Sequence, residues 1–147
     1  MKKELLYQFC SDSTEKTEEI GKSFAKELKI GDFVALVGDL GAGKTAFVRG
    51  MAEYIVPDAS VCSPTYAIVN EYVANGKRLC HFDIYRLNDE DDLISIGFYD
   101  YDNCIKAVEW CDKIEEALPE EYYLVTILGS GEDMRNIKIE KVCTEEN

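Results

Sequence analysis

The chain has 147 residues, 46% of them apolar and 11% aromatic, which is long and apolar enough to bury one hydrophobic core. This composition excludes intrinsic disorder over most of the chain and predicts a single domain over residues 1–147. The 16 basic and 29 acidic residues give a net charge of −13, which disfavours tight binding of the chain alone to nucleic acid or anionic lipid.

Neither the start of the chain nor its cysteines indicate a secreted or membrane protein. Residues 1–12 begin with basic side chains, but their apolar stretch is too short for a signal sequence or a membrane span. The 6 cysteines form no C-x-x-C pair and the chain has 1 histidine, so we expect reduced thiols with neither a zinc site nor a disulfide framework. The predicted location is the cytoplasm.

The first half of the chain alternates between strand-like and helix-like segments. A short strand is predicted over residues 5–10, and the polar residues after it are typical of a helix N-cap. A helix with one apolar face follows over residues 14–29. Residues 33–37 are an uninterrupted apolar run, typical of a strand buried on both faces of a parallel sheet. A second helix is predicted over residues 45–55, because apolar residues recur at helical spacing and Pro57 follows.

The second half contains two predicted hairpins and several shorter elements. Asn75-Gly76 favours the tight type I′ turn of a β-hairpin, since both residues tolerate positive φ. The predicted elements are strands over residues 67–73 and 78–85, a helix starting at 88–92, a strand over 105–108, a short helix over 112–118, and strands over 122–128 and 137–142 around Gly129-Ser130-Gly131. Strands that alternate with helices, without repeats or linkers, predict an α/β layer structure.

One segment matches the phosphate-binding pattern G-x-x-x-x-G-K-[ST] at every fixed position. Its residues are Gly38, Asp39, Leu40, Gly41, Ala42, Gly43, Lys44 and Thr45. The glycines let successive backbone N–H groups point at an anion, and the following helix adds its positive N-terminus. Lys44 supplies a cation for the β- and γ-phosphates, and the Thr45 hydroxyl is a suitable ligand for Mg²⁺. The sequence therefore predicts that the chain binds a nucleoside triphosphate with Mg²⁺.

A carboxylate at a neighbouring strand end would complete the Mg²⁺ site, and the sequence offers two candidates. Glu109 follows the apolar run at residues 105–108, and Asp83 ends the run at residues 79–83. The residues alone do not decide between them. The patterns N-K-x-D and D-x-x-G, which GTPases commonly carry, do not occur in the chain, so adenine is favoured as the base.

Four blocks of sequence, in this order, resemble the bacterial TsaE family, also called YjeE. They are G-D-L-G-A-G-K-T at residues 38–45, S-P-T-Y at 63–66, H-F-D-I-Y-R-L at 81–87 and V-E-W at 108–110. The resemblance implies an ATPase that works with TsaB and TsaD in making threonylcarbamoyladenosine beside the tRNA anticodon, and that meets tRNA through that complex. It also implies a P-loop NTPase-like three-layer α/β fold, whose mixed sheet has a parallel centre and antiparallel flanking strands.

The family pattern also implies roles for residues outside the phosphate loop. It places Thr45 and Glu109 on Mg²⁺, which decides the competition above in favour of Glu109. Asp83 then becomes the residue that orients or activates the attacking water. Thr65 is placed like a switch residue that senses the γ-phosphate, with a proline-fixed turn as the alternative. Together with Lys44, Asp83 and Thr65 form the implied catalytic set.

The resemblance says less about the remaining residues. The segment around Thr14 and the turn containing Gly131 are implied to flank the adenine. Arg86 is expected to contact phosphate or a partner protein. Trp110 supports the metal ligand, docks TsaD or belongs to the core. His81 is expected to be a packed strand residue rather than a ligand.

The predicted reaction is in-line attack of water on the γ-phosphoryl group of ATP, slow in the isolated chain because no arginine finger is evident in the motifs. Two other functions stay open at this point. One is a nucleotide-gated interaction protein, in which ATP binding changes partner affinity and hydrolysis is incidental. The other is a small phosphotransferase, although the few arginines form no lid-like cluster and water is the simpler acceptor.

Overall fold

The computed structural model describes residues 2–39, 43–58, 69–84, 87, 89–95, 97–109, 115–129 and 134–144. Its strands are β1 (Lys2–Ser11), β2 (Phe33–Gly38), β3 (Val69–Ala74), β4 (Lys77–Asp83), β5 (Ile105–Glu109), β6 (Glu121–Gly129) and β7 (Arg135–Cys143). Its α-helices are α1 (Thr14–Ala25), α2 (Lys44–Ile55) and α3 (Glu90–Ser95), and short 3₁₀ helices cover Phe98–Asp100 and Glu115–Ala117.

All these strands belong to one seven-stranded sheet with the order β1-β7-β6-β2-β5-β4-β3. The four central strands, in the order β6, β2, β5 and β4, run parallel to one another. The outer pairs β1–β7, β7–β6 and β3–β4 are antiparallel. The predicted α/β fold, with a mixed sheet that is parallel at its centre and antiparallel at its flanks, is confirmed.

Alternate side chains of β2 enter two different cores, because successive residues of a strand point to opposite faces of a sheet. Val34 and Leu36 pack on the face covered by α1 and α2, where Phe24 and Phe47 are buried. The opposite core contains side chains of β2, β4, β5, α3 and the 3₁₀ helices: Phe33, Ala35, Phe82, Leu93, Phe98, Val108 and Ala117. The sheet is thus the middle of three layers.

Helices α1 and α2 touch each other backbone to backbone through two glycines. A Cβ on Gly21 would lie 2.2 Å from the carbonyl oxygen of Phe47, and a Cβ on Gly50 would lie 1.9 Å from that of Glu18. Both distances are far below van der Waals contact, so a side chain at either position would force the helices apart. This close contact fixes where α1 lies relative to the segment that starts α2.

Most predicted boundaries agree with the structure within a few residues, and the α1 boundary does not. The helix was expected to reach residue 29 but ends at Ala25, and i→i+3 turns replace it. Leu28 still packs against the core although it is outside the helix, which explains why the apolar stripe continues beyond the helix end. The Asn75-Gly76 turn is confirmed, with φ of 53° and 78°.

Several predictions fall partly outside the described residues. The helix expected over 112–118 is a 3₁₀ helix at Glu115–Ala117, and residues 111–114 are not described. Within the described ranges, Cys10, Cys80, Cys104 and Cys143 are free thiols. No helix in the described part of the chain has the length and apolar character needed to cross a membrane.

Candidate functional site

The predicted phosphate loop joins the end of β2 to the start of α2. Gly38 ends β2 with a φ of 143°, and a Cβ there would lie 1.9 Å from the carbonyl oxygen of Ile127. Gly43 precedes α2 with a φ of 105°, in the left-handed region that favours glycine. Both glycines are therefore required by the backbone. Between them, Leu40, Gly41 and Ala42 lie outside the described residues.

The N-terminus of α2 is unlike the starts of the other two α-helices that the structure describes. At α1, the Ser13 hydroxyl accepts a hydrogen bond of 3.1 Å from the backbone N–H of Lys16. The first turn of α3 contains Glu90, Asp91 and Asp92. In the described part of α2, neither a capping side chain nor an acidic residue of the first turn occupies this position. The backbone N–H groups and positive dipole end of α2 thus suit an external anion.

Lys44 is the first residue of α2 and its side chain is buried, with 4% of the residue exposed. Its Nζ donates a hydrogen bond of 3.3 Å to the carbonyl oxygen of Gly38. The ammonium group therefore lies across the loop from α2 to the end of β2. Thr45 follows in the same helical turn and is half-buried. A buried cation beside the amide donors of a helix N-terminus is an arrangement suited to phosphate groups.

Two other parts of the fold flank the loop. Near the start of the loop, the Asp39 carboxylate accepts a hydrogen bond of 3.3 Å from the backbone N–H of Gly129 in β6. At the last glycine of the loop, the Thr17 methyl carbon of α1 lies 3.7 Å and the Arg135 Nε of β7 3.9 Å from the point where a Cβ of Gly43 would be. The described ends of the loop are thus close to the β6–β7 hairpin and to α1. Thr14, the exposed first residue of α1, is on this side of the fold.

Thr17 and Arg135 were not singled out by the sequence analysis. The strand pairing is the feature that points to Arg135. Arg135 lies opposite Gly129 in the β6–β7 hairpin and opposite Ser11 in β1. Thr17 is buried and its hydroxyl lies 2.8 Å from the Ser11 hydroxyl. Nothing in the local sequence of α1 distinguishes Thr17 from the other polar residues of the helix.

The two candidate carboxylates lie at the ends of neighbouring strands, one on β5, which pairs with β2, and one on β4, the next strand of the sheet. Glu109 ends β5 and pairs in register with Leu36 of β2, two residues before Gly38. Asp83 ends β4 and pairs with Glu109. Glu109 is buried, with 3% of the residue exposed, and Asp83 is half-buried. The parallel register thus places both acids at the edge of the sheet where the phosphate loop begins.

His81 contacts one of these acids. Its Nε2 lies 2.5 Å from Oε2 of Glu109, and both side chains are buried. The expected packing of His81 within a strand agrees with its complete burial, but the contact with Glu109 was not predicted. The sequence feature related to this contact is the H-x-D spacing, which puts His81 and Asp83 on the same face of β4.

Several residues implicated by the sequence lie outside the described ranges, so the structure does not test their assigned roles. They are Leu40, Gly41, Ala42, Thr65, Arg86, Trp110 and Gly131. The residues that the structure does bring together are Gly38, Asp39, Gly43, Lys44, Asp83 and Glu109.

Comparison with known proteins identifies the family. The family model for the threonylcarbamoyl adenosine biosynthesis protein TsaE matches residues 11–137. This chain belongs to the TsaE family. It is 40% identical to the TsaE protein of Bacillus subtilis over 138 residues, covering 89% of this chain and 87% of the relative. It is 44% identical to that of Haemophilus influenzae over 126 residues, covering 81% and 79%.

A solved structure supports the same assignment. The crystal structure of YdiB from Bacillus subtilis matches with a TM-score of 0.80 and 33% identity, covering 97% of this chain and 88% of that one. The TsaE family takes part in the biosynthesis of threonylcarbamoyladenosine in tRNA. The comparisons therefore support both the fold of this chain and the pathway in which its family takes part.

The residues present at this TsaE site suit a Mg²⁺–nucleotide complex. Mg²⁺ prefers oxygen ligands and usually takes one or two protein ligands plus phosphate oxygens and water. The Thr45 hydroxyl and Glu109 carboxylate are donors of this type, and the uncapped start of α2 offers amide donors to phosphate. A Cβ at Gly38 would clash with the backbone of Ile127 in β6, so the start of the loop requires glycine there.

Proposed function

We propose that this TsaE protein binds and hydrolyses ATP with Mg²⁺, and that it does so in support of a TsaB–TsaD complex that threonylcarbamoylates tRNA. The observation that carries the proposal is the register of β2, β4 and β5. It puts Glu109 on the strand next to β2, which leads into Gly38 and Lys44, and Asp83 in register with Glu109 on the following strand. A phosphate cradle and a pair of acids at one sheet edge are the minimum parts of a P-loop ATPase.

In this proposal each residue has a defined task. Lys44 and the first amides of α2 bind the β- and γ-phosphates and stabilise the charge that develops during transfer. Thr45 and Glu109 would hold Mg²⁺, which neutralises phosphate charge when bound. Asp83 accepts a hydrogen bond from the attacking water and orients it towards the γ-phosphorus. The bond between that phosphorus and the bridging oxygen breaks, releasing ADP and phosphate.

The proposal predicts that Lys44→Ala lowers ATP turnover by about 100-fold or more, because the buried ammonium that stabilises the transferred phosphoryl group is removed. Lys22→Ala, an exposed lysine in the last turn of α1, is the matched control and should hydrolyse ATP at the wild-type rate. Glu109→Ala should weaken nucleotide binding in the presence of Mg²⁺ but not in EDTA. Wild-type turnover by Lys44→Ala would contradict the assignment.

A second prediction concerns the TsaB–TsaD complex. Hydrolysis by the isolated chain should be slow, and adding TsaB–TsaD should accelerate it by completing or ordering the site. Multi-turnover modification of tRNA, measured with and without this protein and ATP, tests the role directly. Equal ATP turnover with and without the partners would contradict the proposed coupling. Repeated tRNA modification with a non-hydrolysable ATP analogue would instead favour a nucleotide-gated interaction protein.

A further inference from the structure

We propose that His81 is a positioning residue that holds the Glu109 carboxylate in the orientation needed to bind the metal. This inference rests on the proposed function, in which Glu109 is a Mg²⁺ ligand. It assigns a role to a residue that contacts neither nucleotide nor metal itself.

The pairing of β4 with β5 makes the contact specific. His81 pairs with Ala107, and Asp83 pairs with Glu109, so His81 reaches Glu109 diagonally across two parallel strands. The distance from Nε2 to Oε2 is 2.5 Å, and the side chains are 0% and 4% exposed. A carboxylate that ligates Mg²⁺ only accepts hydrogen bonds, so in this proposal Nε2 is the ring nitrogen that donates. Burial keeps water from competing for either atom.

The other ring nitrogen of His81 gains no hydrogen bond in the described structure. Within the described part of the chain, its Nδ1 is buried and has no hydrogen-bond partner. A buried polar atom without a partner destabilises the fold, and an apolar side chain of similar shape would avoid that cost. The imidazole makes its hydrogen bond through Nε2, and the partner of Nε2 is Glu109.

A hydrogen bond to Oε2 restricts the last torsion of Glu109. A free glutamate carboxylate rotates broadly about this torsion and loses that freedom when it binds a metal. With Oε2 held by the ring, less freedom remains to be lost on metal binding. Outer contacts of this type commonly change metal affinity by about 10–100-fold when they are removed.

The test measures metal binding without turnover. Mn²⁺, which is visible by electron paramagnetic resonance, is titrated into wild-type protein and variants in the presence of ADP. His81→Phe and His81→Leu remove the donor, and both should weaken Mn²⁺ affinity about 10–100-fold. ADP affinity in EDTA should stay unchanged. His81→Gln places an N–H at the same number of bonds from Cα and should recover most of the affinity.

Phe82→Leu is the matched control, because Phe82 is the next residue of β4, is equally buried and points into the opposite core. It should lower stability while leaving Mn²⁺ affinity intact. Wild-type Mn²⁺ affinity in whichever of His81→Phe and His81→Leu folds would overturn the inference while leaving the proposed function standing. An equal loss in Phe82→Leu would also overturn it. Failure of the wild-type protein to bind Mn²⁺ with ADP would overturn both proposals.

Discussion

Glycine is required at position 38 for two reasons, the backbone conformation and the lack of space for a side chain. Its φ of 143° is costly for any side chain, and its Cα faces the carbonyl of Ile127 so closely that a Cβ has no space. Gly31 also has a positive φ, at 99°, but no atom lies within 4 Å of a Cβ built there. A substitution at Gly31 therefore tests backbone strain alone, whereas a substitution at Gly38 tests backbone strain together with a steric clash.

We expect Gly38→Ala to lower the free energy of unfolding by more than about 2 kcal/mol, since β6 must move to admit the methyl group. Gly31→Ala should cost only about 1 kcal/mol, from backbone strain. Urea denaturation followed by circular dichroism measures both. A loss at Gly38 no larger than the loss at Gly31 would show that β6 yields easily, contrary to this expectation.

Some features of the site could be predicted from the sequence, and others could not. The phosphate loop is read directly from adjacent residues, because its chemistry depends on local spacing. The contact between His81 and Glu109 joins residues 28 positions apart and depends on the register of β4 and β5. The approach of Arg135 and Thr17 to Gly43 depends on how β7 and α1 are placed, and no local pattern contains that information.

At the scale of elements, β4 and the residue before β5 bring two buried thiols together. The pKa of Cys104 is lowered to about 7, chiefly by a hydrogen bond from Cys80 and also by the nearby cations of Lys106 and Arg78, while burial and Glu71 act in the opposite direction. The pKa of Cys80 is raised, chiefly by the hydrogen bond to Cys104 and by burial. One thiol is thus stabilised as a thiolate and the other as a thiol.

This pair predicts a pH dependence of stability. Between pH values of about 7 and 9, the unfolded chain keeps the Cys104 proton that the folded chain has released, so the free energy of unfolding rises with pH. The rise should be on the order of 1–2 kcal/mol. Above that range Cys80 ionises only in the unfolded chain, and stability falls again. Denaturant titrations across this pH range should show the rise in wild-type protein.

Cys104→Ser should abolish the rise, because serine does not ionise in this pH range. Cys10→Ser is the matched control, since Cys10 is exposed on β1 at the other side of the sheet and should leave the rise intact. A pH profile of Cys104→Ser that is identical to the wild-type profile would contradict the assignment.

Elements were predicted well where one physical signal dominates. The Asn75-Gly76 turn follows from two residues that tolerate positive φ, and β2 follows from its uninterrupted apolar run. The end of α1 was misplaced because Leu28 meets the core from a turn, and burial alone does not distinguish a turn from a helix. The mixed sheet, parallel at its centre and antiparallel at its flanks, was implied by the family resemblance rather than by the residues, and its strand order was not predicted.

At the scale of the whole molecule, a net charge of −13 surrounds a small cationic site. The buried Lys44 and the start of α2 can attract an anion only at short range, because salt screens exposed charges beyond about 10 Å. A polyanion as large as tRNA would meet mostly acidic surface. The charge thus favours a nucleotide as the direct ligand over a nucleic acid.

We therefore predict that the chain alone does not retain tRNA in a filter-binding assay at about 0.15 M salt, because nucleic-acid affinity depends on clustered cations. Retention should appear only when TsaB and TsaD are also present. A complex of tRNA with the isolated chain tighter than about 1 µM would contradict the prediction. The matched control is tRNA with TsaB–TsaD in the absence of this protein.

The central position of β2 has a kinetic consequence. β2 is paired on both sides, with β5 and β6, and residues 33–36 are buried beneath both outer layers. Its amides should therefore be among the last to exchange with deuterium, because exposing them requires opening of the whole sheet, whereas β1 and β3 are each paired on one side only. The predicted phosphate loop is thus attached to one of the strands expected to exchange most slowly, and rearrangement of the loop does not require unfolding of its support.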